Sequence, residues 1–152
     1  MACPFFMPME RLEDGWLHAA RLPLGGGWSG ICTASGHEGE TPSQEELREF
    51  CNLGYAERCP RRPPDPVWDS VRFGARSLES DASDANSRRI LIRYVCEREH
   101  RPAEHGMLEF DARRGRWEKS HSDPRVQRMA ECFLASYLER KKQQSVERLA
   151  AS

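Results

Sequence analysis

The sequence predicts an α+β fold: a small antiparallel sheet of three or four strands packed by a long C-terminal helix, with an irregular Cys-containing N-terminal region attached. Three observations predict it. From Arg89 to Glu97 apolar residues alternate, which puts Ile90, Ile92, Tyr94 and Cys96 on one strand face. From Val126 to Leu138 they recur at helical spacing instead. Residues 1–40 keep neither period. At 152 residues the chain suits a single domain, with an irregular metal-binding half over 1–64 and a sheet-plus-helix half over 65–152.

The N-terminal stretch is rich in Gly and Pro, yet Phe5, Phe6, Trp16 and Trp28 argue against disorder. A long irregular segment of that kind needs a local staple. The first helix is expected at Thr41, with Thr41 as N-cap, Pro42 in the first position and Gln44 as capping-box partner. Leu47, Phe50, Cys51 and Gly54 would share its apolar face, and Gly54 suits a left-handed stop. After the proline-rich connection Arg61–Pro66, Val67–Phe73 reads as a strand and 74–88 as a mobile polar loop.

Met107–Asp111 and Arg116–Lys119 read as a hairpin turning at Ala112 to Gly115, which leaves His100 and His105 in the preceding connection. Ser122 or Asp123 caps the last helix, with Pro124 in its first position. Beyond Glu139 only Val146 and Leu149 extend its apolar stripe, so that end is expected to project or fray.

Composition narrows the function classes. Charged residues make up 31% and hydrophobic ones 38%, the balance of a globular protein with a wet surface. A net charge of -1 supplies no overall field toward nucleic acid or an anionic membrane, and neither is expected as a partner. No stretch approaches the roughly 20 apolar residues of a membrane span. Met1–Met9 lacks a basic start and is followed by Glu10, Arg11, Glu13 and Asp14, so it does not read as a signal peptide. The expected compartment is the cytoplasm, where thiols stay reduced.

Six cysteines in such a chain therefore read as metal ligands or small core residues rather than disulfides. Cys96 is expected in the core. Cys132 falls about 130° from the centre of the helical stripe, at about 100° per residue, and reads as a flank thiol. Cys3, Cys32, Cys51 and Cys59 remain. They sit in or beside Gly- and Pro-rich segments, where side chains can converge without a regular period. Pro4 and Pro60 follow Cys3 and Cys59, as a proline follows a ligating cysteine in bacterial ferredoxin runs. Four thiolates suit a cubane 4Fe–4S cluster or a tetrahedral zinc. Their spacings of 28, 18 and 7 intervening residues contain no short zinc knuckle, which tilts the choice to the cluster. Arg58, Arg61 and Arg62 beside Cys59 offer charge to offset the thiolates, and Phe5, Phe6, Trp28 and Tyr55 offer shielding.

Other signals rank lower. Gly25, Gly27 and Gly30 spell G-x-G-x-x-G, but no helix is expected until Thr41, so a glycine turn presenting Cys32 is the better reading. His37 is a substitute ligand for zinc. His100 and His105, with Glu97, Glu99 and Glu104 nearby, are the residues on which an enzymatic reading would rest. Arg113, Arg114 and Arg116 at the hairpin, and Arg140 to Lys142 on the helix, read as solvated surface.

The sequence thus points to a small cytoplasmic protein carrying one 4Fe–4S cluster on Cys3, Cys32, Cys51 and Cys59. It would act in electron transfer or redox sensing with a protein partner, not as an enzyme by itself. The alternative is a zinc-stapled interaction module with a structural site of four cysteines.

Overall fold

The computed structural model describes residues 1–13, 15–16, 18–54, 57–79 and 88–152. Its architecture is α+β, with two antiparallel sheets and a C-terminal helix packed on them. The larger sheet is an antiparallel meander, β3 (Ser70–Glu79), β4 (Arg88–Arg98), β5 (Arg101–Asp111) and β6 (Arg116–Lys119), ordered as in the chain. In β4, Ile90, Ile92 and Cys96 are buried, as the alternation predicts. β3 begins later than expected and runs on to Glu79, because Val71, Phe73 and Ala75 keep facing inward across Gly74. The remainder of the expected loop, 80–87, lies outside the described residues. β5 begins six positions earlier than expected, at Arg101 against the expected Met107, so His105 lies in a strand opposite Val95.

The expectation of an irregular residue 1–40 segment is corrected. Phe6–Leu12 (β1) and Gly27–Cys32 (β2) form a second, two-stranded antiparallel sheet, with Phe6 opposite Cys32. Pro8 and two glycines hide the strand signal, since these residues weaken strands on average. A register shift between Pro8 and Glu10 breaks the alternation further. Gly30 is required for the pairing: a Cβ there would stand 2.0 Å from the Met7 carbonyl oxygen. Arg128 secures the irregular stretch from the helix side, donating to the Pro8 and Met9 carbonyls at 2.8 Å each.

The first helix is shorter and differently capped than predicted. Ser43, not Thr41, is the N-cap, and Glu46, not Gln44, completes the capping box over α1 (Gln44–Glu46). Leu47–Cys51 then continues as a π-helical turn, in which the Asn52 N–H reaches the Leu47 carbonyl at 3.1 Å. Gly54 does take the left-handed conformation, with φ of 67°.

The C-terminal helix α2 (Pro124–Ala151) is capped by Asp123, whose side chain accepts from the Arg125 N–H. It lies across both sheets and so divides its buried face between two clusters. Val126, Met129 and Cys132 join Ala2, Cys3, Phe6, Trp28, Cys51 and Cys96. Ala130, Phe133 and Leu134 join Ile90, Ile92 and Leu108, with Phe133 stacked on Phe73 at 5.8 Å. Cys132 is accordingly a core residue at 1% exposure and not a flank thiol, since the N-terminal sheet covers the side of the helix that the meander leaves open. From Lys141 onward every residue is exposed and the helix projects without fraying.

One buried side chain locks the N-terminal sheet to the π turn. Asn52 has 0% exposure; its Oδ1 accepts the Trp28 N–H at 3.0 Å. Its Nδ2 donates to the carbonyls of Trp28 and Leu47 at 2.9 and 3.0 Å. Every polar atom of that side chain is satisfied by backbone. Asn52→Ala leaves buried backbone groups unpaired, at about 1–3 kcal/mol apiece, so urea denaturation should show a loss of about 2–4 kcal/mol. Asn52→Asp should cost at least as much, because a carboxylate would face two carbonyl oxygens. A midpoint unchanged in both variants would contradict this account of the lock.

Candidate metal centre

Four chain segments converge beside the Asn52 lock. Residues 2–5 thread between three elements. Ala2 pairs with Val71 of β3 through N–H···O bonds of 2.7 and 2.9 Å, and Cys3 N–H reaches the Cys51 carbonyl at 3.2 Å. The Phe5 carbonyl accepts both the N–H and the hydroxyl of Thr33, at 2.8 and 2.7 Å. Cys32 ends β2 and exchanges backbone bonds with Gly39 and Glu40 across a tight loop. Cys59 follows in the turn that Arg62 N–H closes onto its carbonyl at 3.1 Å.

As a result Cys3, Cys32, Cys51 and Cys59 line one cavity, together with Phe6, Pro42, Glu46, Phe50 and Arg61. The free space among these side chains is small, about 20 Å³. A second, shallower cavity, also of about 20 Å³, shares Cys3, Cys32 and Cys59 and opens past Pro4, Phe5, Arg61 and Arg62. Cys3, Cys32 and Cys51 are buried, and Cys59 is half-buried. All six thiols of the chain are free. Among the described residues no group of three or more His, Cys, Asp or Glu is placed to hold a metal ion.

A backbone donor is aimed at one of the sulfurs: Ala34 N–H donates to Cys32 Sγ at 3.4 Å. The Phe5 and Phe6 amides lower the Cys3 thiol, although Phe6 N–H is itself bonded to the Cys3 carbonyl at 3.1 Å. These contacts favour the thiolate. Against them, burial pushes the Cys3 thiol up to about 12, helped by the charges that Cys32 and Cys59 would carry. Burial, and then the neighbouring Cys3, Cys59 and Cys32, push Cys51 well above the ordinary thiol range. Cys32 is raised by burial, with Ala34 N–H opposing and Arg61 lowering it. Four thiolates crowded in a dry site repel one another, so they need a cation or a cluster to become charged together.

Arg61 is the residue that composition alone undervalues. Its guanidinium bonds Glu40 at 2.6 Å and Glu46 at 2.8 Å. That ties the Cys59 segment both to the loop after Cys32 and to the helix that carries Cys51. Arg62 makes a similar tie to Asp69 at 2.7 Å. Arg58 lines neither cavity, and Trp28 packs in the adjoining core. Tyr55 lies outside the described residues.

The histidines take other positions. His37 pairs with Glu40 at 3.1 Å and lines neither cavity. His100 occupies the tight β4–β5 turn with Glu99, both at positive φ, and stands 3.6 Å from Glu57. His105 is exposed in β5 and shares no described cavity with His100. The buried histidine is His121, which nothing in the sequence pattern singles out. Its Nε2 meets Glu104 at 3.0 Å, its Nδ1 accepts the Asp123 N–H at 2.9 Å, and its ring stands edge-on to Tyr94 at 4.6 Å. The ring thus bridges β5, through Glu104, and the N-cap of α2, through Asp123.

Exposure orders the thiols. In chelator-treated protein, Cys59 should react first with a thiol reagent, and the buried thiols only as the fold opens. Arg61→Ala should speed labelling of Cys32 and Cys51 by untying their segments, while Arg61→Lys should restore part of the protection. Peptide mapping after timed alkylation reads the order; equal rates in all three proteins would remove Arg61 from this role. No family model matches the chain, and neither a curated protein nor a solved structure matches it, so its chemistry has to be argued from its own residues.

Proposed function

We propose that this chain carries one cubane 4Fe–4S cluster on Cys3, Cys32, Cys51 and Cys59 and works in electron transfer or redox sensing. The observation that carries the reading is that four thiols from four separate segments line one largely apolar cavity. A donor set of sulfur alone suits iron–sulfur clusters and zinc, and disfavours hard cations. The Ala34 N–H bonds the Cys32 sulfur, the type of contact that tunes a cluster's potential.

The lack of any short Cys-x2–4-Cys knuckle, and the prolines that follow Cys3 and Cys59, favour the cluster over zinc. Four thiolates on zinc must all lie about 2.3 Å from one point. The terminal ligands of a cubane instead surround a body of four irons, so their sulfurs need not meet. A cluster bound there would supply one-electron chemistry. The protein's share is to hold the four thiolates, exclude water with Phe6 and Phe50, and leave Cys59 nearest the surface as the edge that faces a protein partner. Electron transfer and sensing ask for this enclosure and this edge, and the reading involves no substrate turnover.

The test begins with protein purified without oxygen. It should be brown, with iron and acid-labile sulfide in equal amounts. Serine at any of Cys3, Cys32, Cys51 or Cys59 should lower iron content sharply. Cys96→Ser and Cys132→Ser should keep the iron while losing stability, because those thiols pack in the core. A colourless protein holding one zinc would establish the structural-metal alternative, and iron lost only with Cys96 or Cys132 would overturn the ligand set.

A further inference from the structure

At the end of the molecule where α2 outruns the sheet, a wide cleft of about 1110 Å³ separates the helix from the sheet's edge. The sheet side is formed by the first residue of β4 and the β5–β6 turn. Ala112 N–H bonds the Arg88 carbonyl at 2.8 Å, and the Arg113 and Arg114 N–H groups bond Asp111 at 2.9 and 3.0 Å. The helix side presents Leu138, Lys141, Lys142 and Val146. The floor is predominantly apolar, and Val146 is 65% exposed.

Charge is distributed unevenly around that floor. Arg88, Arg113, Lys141 and Lys142 all line the cleft and all are exposed. Among the described residues its one acidic lining residue, Glu139, is ion-paired to Arg11. A chain with net charge -1 has thus gathered four cations about one apolar trough. The trough exceeds the roughly 300–1,000 Å³ of ordinary small-molecule pockets and is open along its length, which suits a macromolecular segment.

We propose that this cleft docks an acidic amphipathic helix of a partner protein. Aliphatic side chains of the partner lie against Leu138 and Val146, and its carboxylates face Arg88, Lys141 and Lys142. Charge complementarity selects acidic over basic partners, and the apolar floor selects a peptide with segregated faces over one that is merely anionic. A nucleic-acid strand would need aromatic platforms or a continuous basic track, and the trough lining contains no aromatic residue among the described residues. A membrane surface would meet a convex apolar face, whereas this one is concave. The proposal does not depend on the metal centre, whose cysteines lie outside the cleft.

The experiment uses the whole chain and a fluorescein-labelled model helix with leucine on one face and glutamate on the other. Fluorescence anisotropy should give saturable binding that weakens at least about tenfold in the double variant Lys141→Glu/Lys142→Glu, and also in Val146→Asp. Amide shifts on titration should concentrate at Arg88, Ala112, Leu138 and Val146. A scrambled peptide of the same composition should bind far more weakly, and so should a lysine-for-glutamate version. Equal binding of the scrambled peptide would reduce the cleft to a patch of charge and overturn the proposal. So would shifts centred elsewhere, no saturation at millimolar peptide, or tighter binding of a single-stranded oligonucleotide or of anionic phosphatidylserine vesicles.

Discussion

The N-terminal strand segment is held by backbone pairing to three elements at once, and the rest of the cysteine site depends on that threading. Ala2 bonds the first strand of the meander, Cys3 bonds the π turn, and Phe5 bonds the residue that follows β2. Each bond is ordinary in strength. Their combined effect is geometric: a short stretch of chain fixes the positions of the sheet, the turn and the second sheet relative to one another. Gly54 belongs to the same arrangement. A Cβ there would stand 2.2 Å from the Met1 carbonyl oxygen, so the close approach of the two segments requires a residue without one.

Burial and electrostatics act against each other at the centre of this arrangement. Apolar packing by Phe6, Phe50 and the start of α2 stabilises the N-terminal cluster by about 1.5–3 kcal/mol for each large side chain removed from water. The same dryness raises the thiols, and their closeness raises them further. Neutral thiols are therefore comfortable there and four uncompensated thiolates are not. The Ala34 N–H directed at Cys32 favours the charged form of that one thiol against the burial that opposes it.

Much of the meander and α2 was legible because their core positions repeat with one period. Ile90, Ile92 and Cys96 alternate, and Val126, Met129 and Phe133 recur at helical spacing. β1 and β2 were not, since Pro8, Gly27 and Gly30 lower the local propensity and only the pairing itself makes them strands. The helix start slipped from Thr41 to Ser43 because two overlapping cap patterns stand side by side, and tertiary contacts choose between them. Cys3, Cys32, Cys51 and Cys59 do line one cavity, but irregular surroundings were a poor reason to group them, since Cys32 ends a strand and Cys51 a π-helical turn. Arg61 as a tie to Glu40 and Glu46 was not legible, since nothing in the spacing of those residues announces that they meet. Cys132 was misjudged because a helix wheel assumes one covered side, and α2 has two.

α2 has a mechanical consequence. A straight helix of 28 residues is a rod about 42 Å long. Its first half packs on one side among Cys3, Cys51 and Phe6 and on the other among Ile92 and Leu108, and from Lys141 onward it stands in solvent. A rod gripped in this way cannot tilt at one end alone. The helix is covered on two sides through its first half and on neither from Lys141 onward, so its free end is a cantilever whose direction both clusters set together.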